Sequence, residues 1–459
     1  MSDLEQMRRE VRQRLIEENE FPHIPEDWGV ERLRFLFTES KERNGKSPVG
    51  EMLSVSEYRG VVPREYENEE QKRTDDELEN YRVVRPGQLA VNSMWLNHLG
   101  LGVSEHTGHV SPAYNVYDIS HRLDRRFVHH LMRSNYYLKI YLRYLYGIRP
   151  NSFQIKSNDW ASIPIIVPDL ATQRQIADFL DRETARIDLL IEKKQRLVAL
   201  LEAKREEVIS NAIIKGLNPK ADMRQTGIPW LGAVPSHWTV QPIKYLVSRS
   251  LTDGPHVTPT KRDEGVPFIS AESISNGKIN FDKKWGHISA EDHRFYSRSY
   301  KPQRHDIFVV KLGATTGRVA RVETDMDFNI WVPLAAIRPK SPLLSKLIYF
   351  ALQSSHIKDA YQVLWTYGTQ QTLGLGTLSK IRLPIPPDSE IEEIANHIET
   401  RLPALEQVSE RTLVSIDRLK EYRSALITAA VTGQIDVSTY AKTGTSDRRL
   451  DAIQEEMGA

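Results

Sequence analysis

The side chains able to do chemistry are present in this chain, but their spacing rarely suits it. Residues 44–48 read "NGKSP" and so contain Gly-Lys-Ser, yet no glycine stands five positions before Gly45, as a phosphate-cradling loop needs. "GATTG" at 313–317 and "GLG" at 374–376 are too short for a dinucleotide fingerprint and read as turns. His287 and His293 in "HISAEDH" do not share a helix face, and no cysteine or third histidine stands near them, so no metal site is expected. There is no Gly-x-Ser-x-Gly elbow and no Asn-Pro-Pro-Tyr run of the adenine-methylating type. The chain contains 0 cysteines, which removes thiol nucleophiles, disulfides and thiolate-held zinc. The reading is a protein without catalytic residues of its own.

What remains is charge and amide chemistry. Residues 236–382 carry 20 Lys and Arg against 12 Asp and Glu, and residues 80–167 carry 10 against 4. An acidic stretch at 64–79, "REYENEEQKRTDDELE", offsets much of the second excess, and the formal net charge is +1. Local basicity in a neutral chain suits a phosphate-binding surface, because counterion release drives non-specific DNA affinity. Lys311 and Arg318 flank the 313–317 turn, and Lys261, Arg262, Lys283 and Lys284 precede it. In the first half the corresponding candidates are Arg122, Arg125, Arg126, Arg149 and Asn151. Asn92, Asn115, Gln370 and Gln371 have the amide geometry for adenine edges. For each, the plainer reading is a solvated surface side chain. Two aromatic-rich helices, "RRFVHHLMRSNYYLKIYLRYLYG" and "LLSKLIYFALQSSHIKDAYQVLWTYG", offer tyrosines that can stack on bases. Packing of these helices on a sheet is the preferred reading.

The elements that must position these residues repeat. "IPIIVPDLATQRQIADFL" at 163–180 returns as "LPIPPDSEIEEIANHI" at 383–398. An offset of 218 pairs Ile176 with Ile394, Ile187 with Leu405, Leu201 with Leu419 and Arg205 with Arg423. Upstream, "IPEDWGVERLRFLF" at 24–37 resembles "VPSHWTVQPIKYLV" at 234–247, matching Pro25 with Pro235 and Trp28 with Trp238. Between entrance and exit lie β-rich bodies broken by Gly and Pro, and these are much less alike. Each exit reads as a long helix: Pro168 and Pro387 precede the starts, and Gly216 and Gly433 follow the ends.

A 3-4 spacing gives the first helix a seam at Ile187, Leu190, Leu197, Leu201 and Val208, interrupted by Lys194 and Lys204. Its counterpart in the second is Leu405, Val408, Leu419, Tyr422 and Leu426, with Thr412 and Ser415 between. This is the pattern of a close helix pair, each about 65 Å long. At 459 residues the chain suits two to four domains, with 40% apolar and 27% charged residues. The charged N-terminus predicts no signal peptide, no run predicts a membrane span, and the lack of cysteine suits the cytoplasm.

"TGIPWLGAVPSHW" at 226–238, "QRQIADFLDRETARID" at 173–188, "GHVSPAYNVY" at 108–117 and "LITAAVTGQIDV" at 426–437 together resemble the specificity subunit of Type I restriction–modification systems. The resemblance covers nearly all of 21–437 and implies an α+β plan. An N-terminal segment, 1–23, precedes a target recognition domain, 24–168, and a spacer helix, 169–216. A linker, 217–236, leads to a second recognition domain, 237–387, a second spacer helix, 388–433, and a tail, 434–459. The resemblance further implies that the helices pack as an antiparallel coiled coil about a pseudo-two-fold axis. Each domain would read one half of a split, asymmetric sequence in double-stranded DNA. Two methyltransferase subunits would dock on the helices, and two restriction subunits would join through them. S-adenosylmethionine, ATP and Mg²⁺ would then belong to the partners, none to this chain. Alternatives are a protein-interaction scaffold with incidental basic surface, and a methylation-only system. A self-contained nuclease or methyltransferase is the reading least supported.

Overall fold

The computed structural model describes residues 3–18, 21, 24–56, 59–66, 74–147, 153–364, 372–442 and 444–455. Its longest elements are the helices Leu170–Lys215 and Asp388–Val431. The first begins where the Asp169 carboxylate accepts the amides of Ala171 and Thr172 at 2.8 and 3.1 Å; the Thr172 hydroxyl, which also donates to it, and these amides hold the Asp169 carboxyl below its usual range. It ends at Gly216, whose φ of +70° lies in the left-handed region; the second ends just before Gly433, at +73°. Pro403 lies inside the second helix, which continues through it although proline removes one ladder bond. Among the described residues no helix is long and apolar enough to cross a membrane.

The chain divides into two compact units. One comprises residues 1–195 and 411–459, the other residues 196–410, so each unit owns part of both long helices.

In the first unit, Gly29–Arg32 pairs with Pro164–Val167 and brings the body back to the helix start. A four-stranded sheet runs Phe37–Glu39, Tyr114–Ile119, Leu89–Asn92, Leu101–Val103. A second runs Gly60–Pro63, Glu51–Ser56, Gly108–Val110, Arg82–Val84, and its middle pair is parallel. The second unit has the matching pair Thr239–Pro242 with Arg382–Ile385. Its four-stranded sheet runs Thr252–Asp253, Leu334–Ile337, Ile307–Val310, Val319–Arg321. Its other sheet has three strands, Gly286–Ile288, Val266–Ile269 and Asn329–Ile330, the last two again parallel. Bodies with little sequence in common therefore share their strand connections.

The two aromatic-rich segments are each two helices rather than one. Arg125–Met132 and Asn135–Tyr144 are broken at Ser134, and Pro342–Gln353 and Ser355–Leu364 at Ser354; both serines take extended backbone angles. Ser134 accepts the Tyr137 amide at 3.3 Å and so caps the second helix instead of continuing the first. Tyr137, Tyr141 and Tyr361 are fully buried, and burial pushes their phenols far up. The Tyr137 hydroxyl donates to the Pro164 carbonyl at 3.0 Å and accepts the Ile166 amide at 3.2 Å. Tyr137 thus holds helix to strand, Tyr141 and Tyr361 donate to carbonyls of the preceding helix, and all three, being buried, offer no face to a base.

Within the first unit, Ile187, Leu419 and Leu426 of the seam are buried, with Leu190 and Tyr422 packed beside them. Thr412 and Ser415 are buried too. Within the second unit, Leu201, Val208 and Leu405 are half-buried, while Leu197 and Val408 stand 38% and 43% exposed. An ion pair links the helices in each unit. Arg423 reaches Asp188 at 2.8 and 3.1 Å in one, and Arg205 lies 3.7 Å from Glu406 in the other. The sequence offset of 218 exchanges the two pairs residue for residue.

The repeated Pro and Trp explain themselves at the helix ends. A Cβ on Gly433 would lie 2.5 Å from Pro25 and 3.1 Å from the Trp28 ring. A Cβ on Gly216 would lie 3.0 Å from the Trp238 ring. Each entrance tryptophan thus packs on the end of the long helix belonging to the other half of the sequence. An arginine fixes each loop: Arg12 donates to the Trp28 and Pro25 carbonyls, both at 2.8 Å, and Arg224 to those of Trp238 and Ser236 at 2.6 and 3.2 Å. Gly227 has the same φ of +70° as Gly216 but nothing within 4 Å of its missing Cβ. Gly227→Ala should therefore cost only about 1 kcal/mol of backbone strain, while Gly216→Ala and Gly433→Ala should cost about 2 to 4, read by urea unfolding. Equal losses at all three would refute the packing account.

Candidate nucleic-acid interface

Charge pairing sorts the candidate cations into those already engaged and those turned outward. Arg122 forks onto the Glu31 carboxylate, one bond at 2.9 Å, and that carboxylate raises its pKa. Arg126 lies 2.7 Å from Asp178 and 2.9 Å from Asp181, with Asp124 at 3.9 Å. Arg82 and Arg85 meet Glu39 and Glu42 at 2.8 and 2.6 Å. The basic excess of residues 80–167 is thus largely met by acids lying outside that stretch of sequence. Arg125 is exposed and lies against Gly87, where a Cβ would meet its guanidinium. A cavity of about 630 Å³ beside it is lined by Arg59, Arg125, Arg126, His129, Asp181 and Arg423, among others. Burial holds His129 neutral, its pKa pushed down to about 3. Asp181 is held low by its hydrogen bond with His130 at 2.7 Å. That cavity has mixed charge.

Asn92 is also occupied, since its side-chain oxygen accepts the Met94 amide at 3.2 Å in the turn after its strand. Asn115 lies opposite Val91 in the same sheet and is half-buried. Arg149, Asn151, Gln370 and Gln371 fall outside the described residues.

In the second unit, Lys311 is not a free cation. It points back to Asp253 at 3.0 Å, with both side chains largely buried. Lys261 lies over the Trp285 ring at 5.6 Å and keeps its charge at the surface. Arg262 bridges His287 through backbone bonds at 3.0 and 3.2 Å, which leaves its side chain exposed. Lys283 and Lys284 occupy and follow the short turn Phe281–Lys283, and the Lys284 ammonium rests on the Phe281 carbonyl at 3.3 Å. Arg318 is exposed; its backbone bonds Thr315 and Val310 at 3.1 and 2.8 Å, and its guanidinium makes a long bond of 3.5 Å to the Ile274 carbonyl.

Arg318 opens onto a cavity of about 400 Å³ whose lining includes Arg205, Lys358, Asn276, Gly277 and Thr316 and, among the described residues, no acidic side chain. Asn276 and Gly277 form a two-residue hairpin between Ser275 and Lys278 with φ of +49° and +75°. This Asn-Gly turn matches strand twist by demanding positive φ at both positions. Arg205 donates to Gln353, and Lys358 pairs with Glu206. The sequence reading missed Arg205, Lys358 and Asn276 as neighbours of Arg318. The Asn-Gly dipeptide was a usable signal for the hairpin, but nothing local indicates that a residue of the long helix lies beside it.

Set on this architecture, the second unit carries a recognisable domain: residues 255–409 match the family described as Type I restriction modification DNA specificity domain. The chain is similar to the specificity subunits of Type I restriction enzymes. It is 22% identical over 280 residues to the EcoBI specificity subunit of Escherichia coli, covering 59% of this chain and 58% of that protein. It is 21% identical over 323 residues to the EcoKI specificity subunit of Escherichia coli strain K12, covering 67% and 65%. The matched stretch is thus less than two thirds of either relative's length. A chain from a structure described as underlying complex assembly and conformational transition of the type I R-M system shares the fold. It aligns with a TM-score of 0.62 at 15% identity, over 90% of this chain and 100% of that one.

The pairing pattern separates two neighbours of one turn. Arg318→Gln should weaken DNA binding and lower the salt slope of log K by about 0.9 if it meets one phosphate. Lys311→Gln should instead lower the unfolding midpoint and leave that slope unchanged. Identical salt slopes for wild type and Arg318→Gln would remove this patch from the interface.

Proposed function

We propose that this chain is the sequence-reading, non-catalytic subunit of a Type I restriction–modification complex. Each β-rich body reads one half of a bipartite, asymmetric target in double-stranded DNA. The two long helices pack antiparallel, set the spacing between the readers and carry two methyltransferase subunits, through which two restriction subunits join. S-adenosylmethionine, ATP and Mg²⁺ act in those partners, in the cytoplasm. The observation that carries the reading is the DNA specificity domain matched at 255–409. The first unit supports extending it to both halves, because its strands are connected in the same way. Ion pairs Asp188–Arg423 and Glu406–Arg205, interchanged by the sequence offset, support the antiparallel pairing.

Physics favours this plan. Two readers on one face of a duplex must be separated by about one helical turn, roughly 34 Å, or by multiples of it. A helix pair enforces such a distance, whereas a flexible linker spreads over many distances and loses effective concentration. Divergent bodies on alike helices are what two different half-sites require. The residues carried by the bodies need only bind, orient and discriminate; methyl transfer asks nothing further of this chain.

Single-molecule sequencing of genomic DNA, with and without the gene, tests this directly. Deletion should abolish N6-methyladenine at one split motif, with one modified adenine in each half on opposite strands. Retained methylation at every motif, in a strain shown to express the chain, would count against the assignment and favour a scaffold.

A further inference from the structure

One surface feature occurs twice and is used by neither core. The short helical turns Leu33–Phe35 and Ile243–Tyr245 stand at the two repeated entrances. Both are anchored identically. The Leu33 amide bonds the Ile163 carbonyl at 2.8 Å, and the Ile243 amide bonds that of Ile381 at 2.9 Å. The Leu36 carbonyl accepts from Ser120 at 2.8 Å, and the Leu246 carbonyl from Lys340 at 3.0 Å. Leu33 and Leu36, like Ile243 and Leu246, are buried. The residues between them point outward: Phe35 is 69% exposed and Tyr245 58% exposed. Each carries a cation from the preceding position, Arg34 at 5.4 Å over Phe35 and Lys244 at 4.9 Å over Tyr245.

A single exposed aromatic needs no explanation. A bulky aromatic with an adjacent cation, kept outward at equivalent places in both repeated entrances, where packing accounts only for the buried residues on either side, does. Two different DNA half-sites would demand different contacts in the two units. A surface kept alike in both faces something present twice. Aromatic anchors framed by cations are also the composition of binding hot spots, and a turn anchored on both sides loses little entropy when bound. We propose that Arg34-Phe35 and Lys244-Tyr245 are two equivalent docking anchors, each entering an acid-rimmed apolar recess on one copy of the same partner protein. Resting on the function proposed above, that partner is the methyltransferase subunit, one copy for each anchor.

The test is native mass spectrometry and titration of the full-length chain with its methyltransferase subunit, using Phe35→Ala, Tyr245→Ala and the double variant. Because both side chains lie on the surface, melting temperatures should match wild type. Wild type should hold two copies. Each single variant should hold one tightly and the other about 30-fold more weakly, the size of a typical hot-spot loss. The double variant should hold neither tightly, and Phe35→Tyr should restore the first site. A double variant that binds two copies with unchanged affinity overturns the inference. So does one that keeps both copies but loses DNA affinity, which would turn these aromatics toward the duplex. A wild-type chain that binds no methyltransferase overturns the proposed function itself, and this inference with it.

Discussion

Each long helix is stabilised by two different neighbourhoods along its length. Helices of 46 and 44 residues with Lys, Thr and Ser on their seam do not carry a continuous apolar stripe. Ile176, Phe179 and Leu180 are buried in the core of the first unit, whereas Ile209, Ala212 and Ile213 of the same helix are buried in that of the second. The second helix has the reverse order, with Ile391, Ile394 and Ile398 in the second unit and Leu426, Ile427 and Ala430 in the first. Because most helical stability comes from tertiary packing, this sharing lets a weakly apolar seam persist at such length. The Arg205–Glu406 pair lies where seam residues such as Leu197 and Val408 are exposed, and its counterpart Arg423–Asp188 lies beside the buried Ile187 and Leu419.

What the sequence makes legible follows from the range of each interaction. Helix starts and stops are local: Pro168 and Pro387 stand just before helices that begin at Leu170 and Asp388, and Gly216 and Gly433 lie just beyond ends at Lys215 and Val431. The offset of 218 is legible because packing against the same kind of entrance constrains both copies alike. Breaks at Ser134 and Ser354 were readable in principle, as capping serines within aromatic runs, but helical periodicity on both sides hides them.

Candidate binding residues are less legible because charge pairing ignores sequence distance. Arg122 finds Glu31 and Arg126 finds Asp178, so a net count over residues 80–167 overstates the charge available to a partner. Lys311 and Arg318 flank one turn and look equivalent in sequence. The strands they adjoin pair antiparallel, and Asp253 on a third strand engages Lys311 while Arg318 stays exposed. Such a distinction exists only once the sheet is assembled.

The joint between Trp28 and Gly433 has a temporal meaning as well as a structural one. The unit formed by residues 196–410 is continuous in sequence, while the other needs residues 411–459 to complete its core around Leu419, Leu426 and Leu450. On a ribosome the second unit therefore becomes foldable before the first is whole. Residues 1–195 are made before the second unit, but Trp28 lacks the helix end it packs on until Gly433 has been made. The order in which the two units can be completed thus runs opposite to the order in which they begin in sequence.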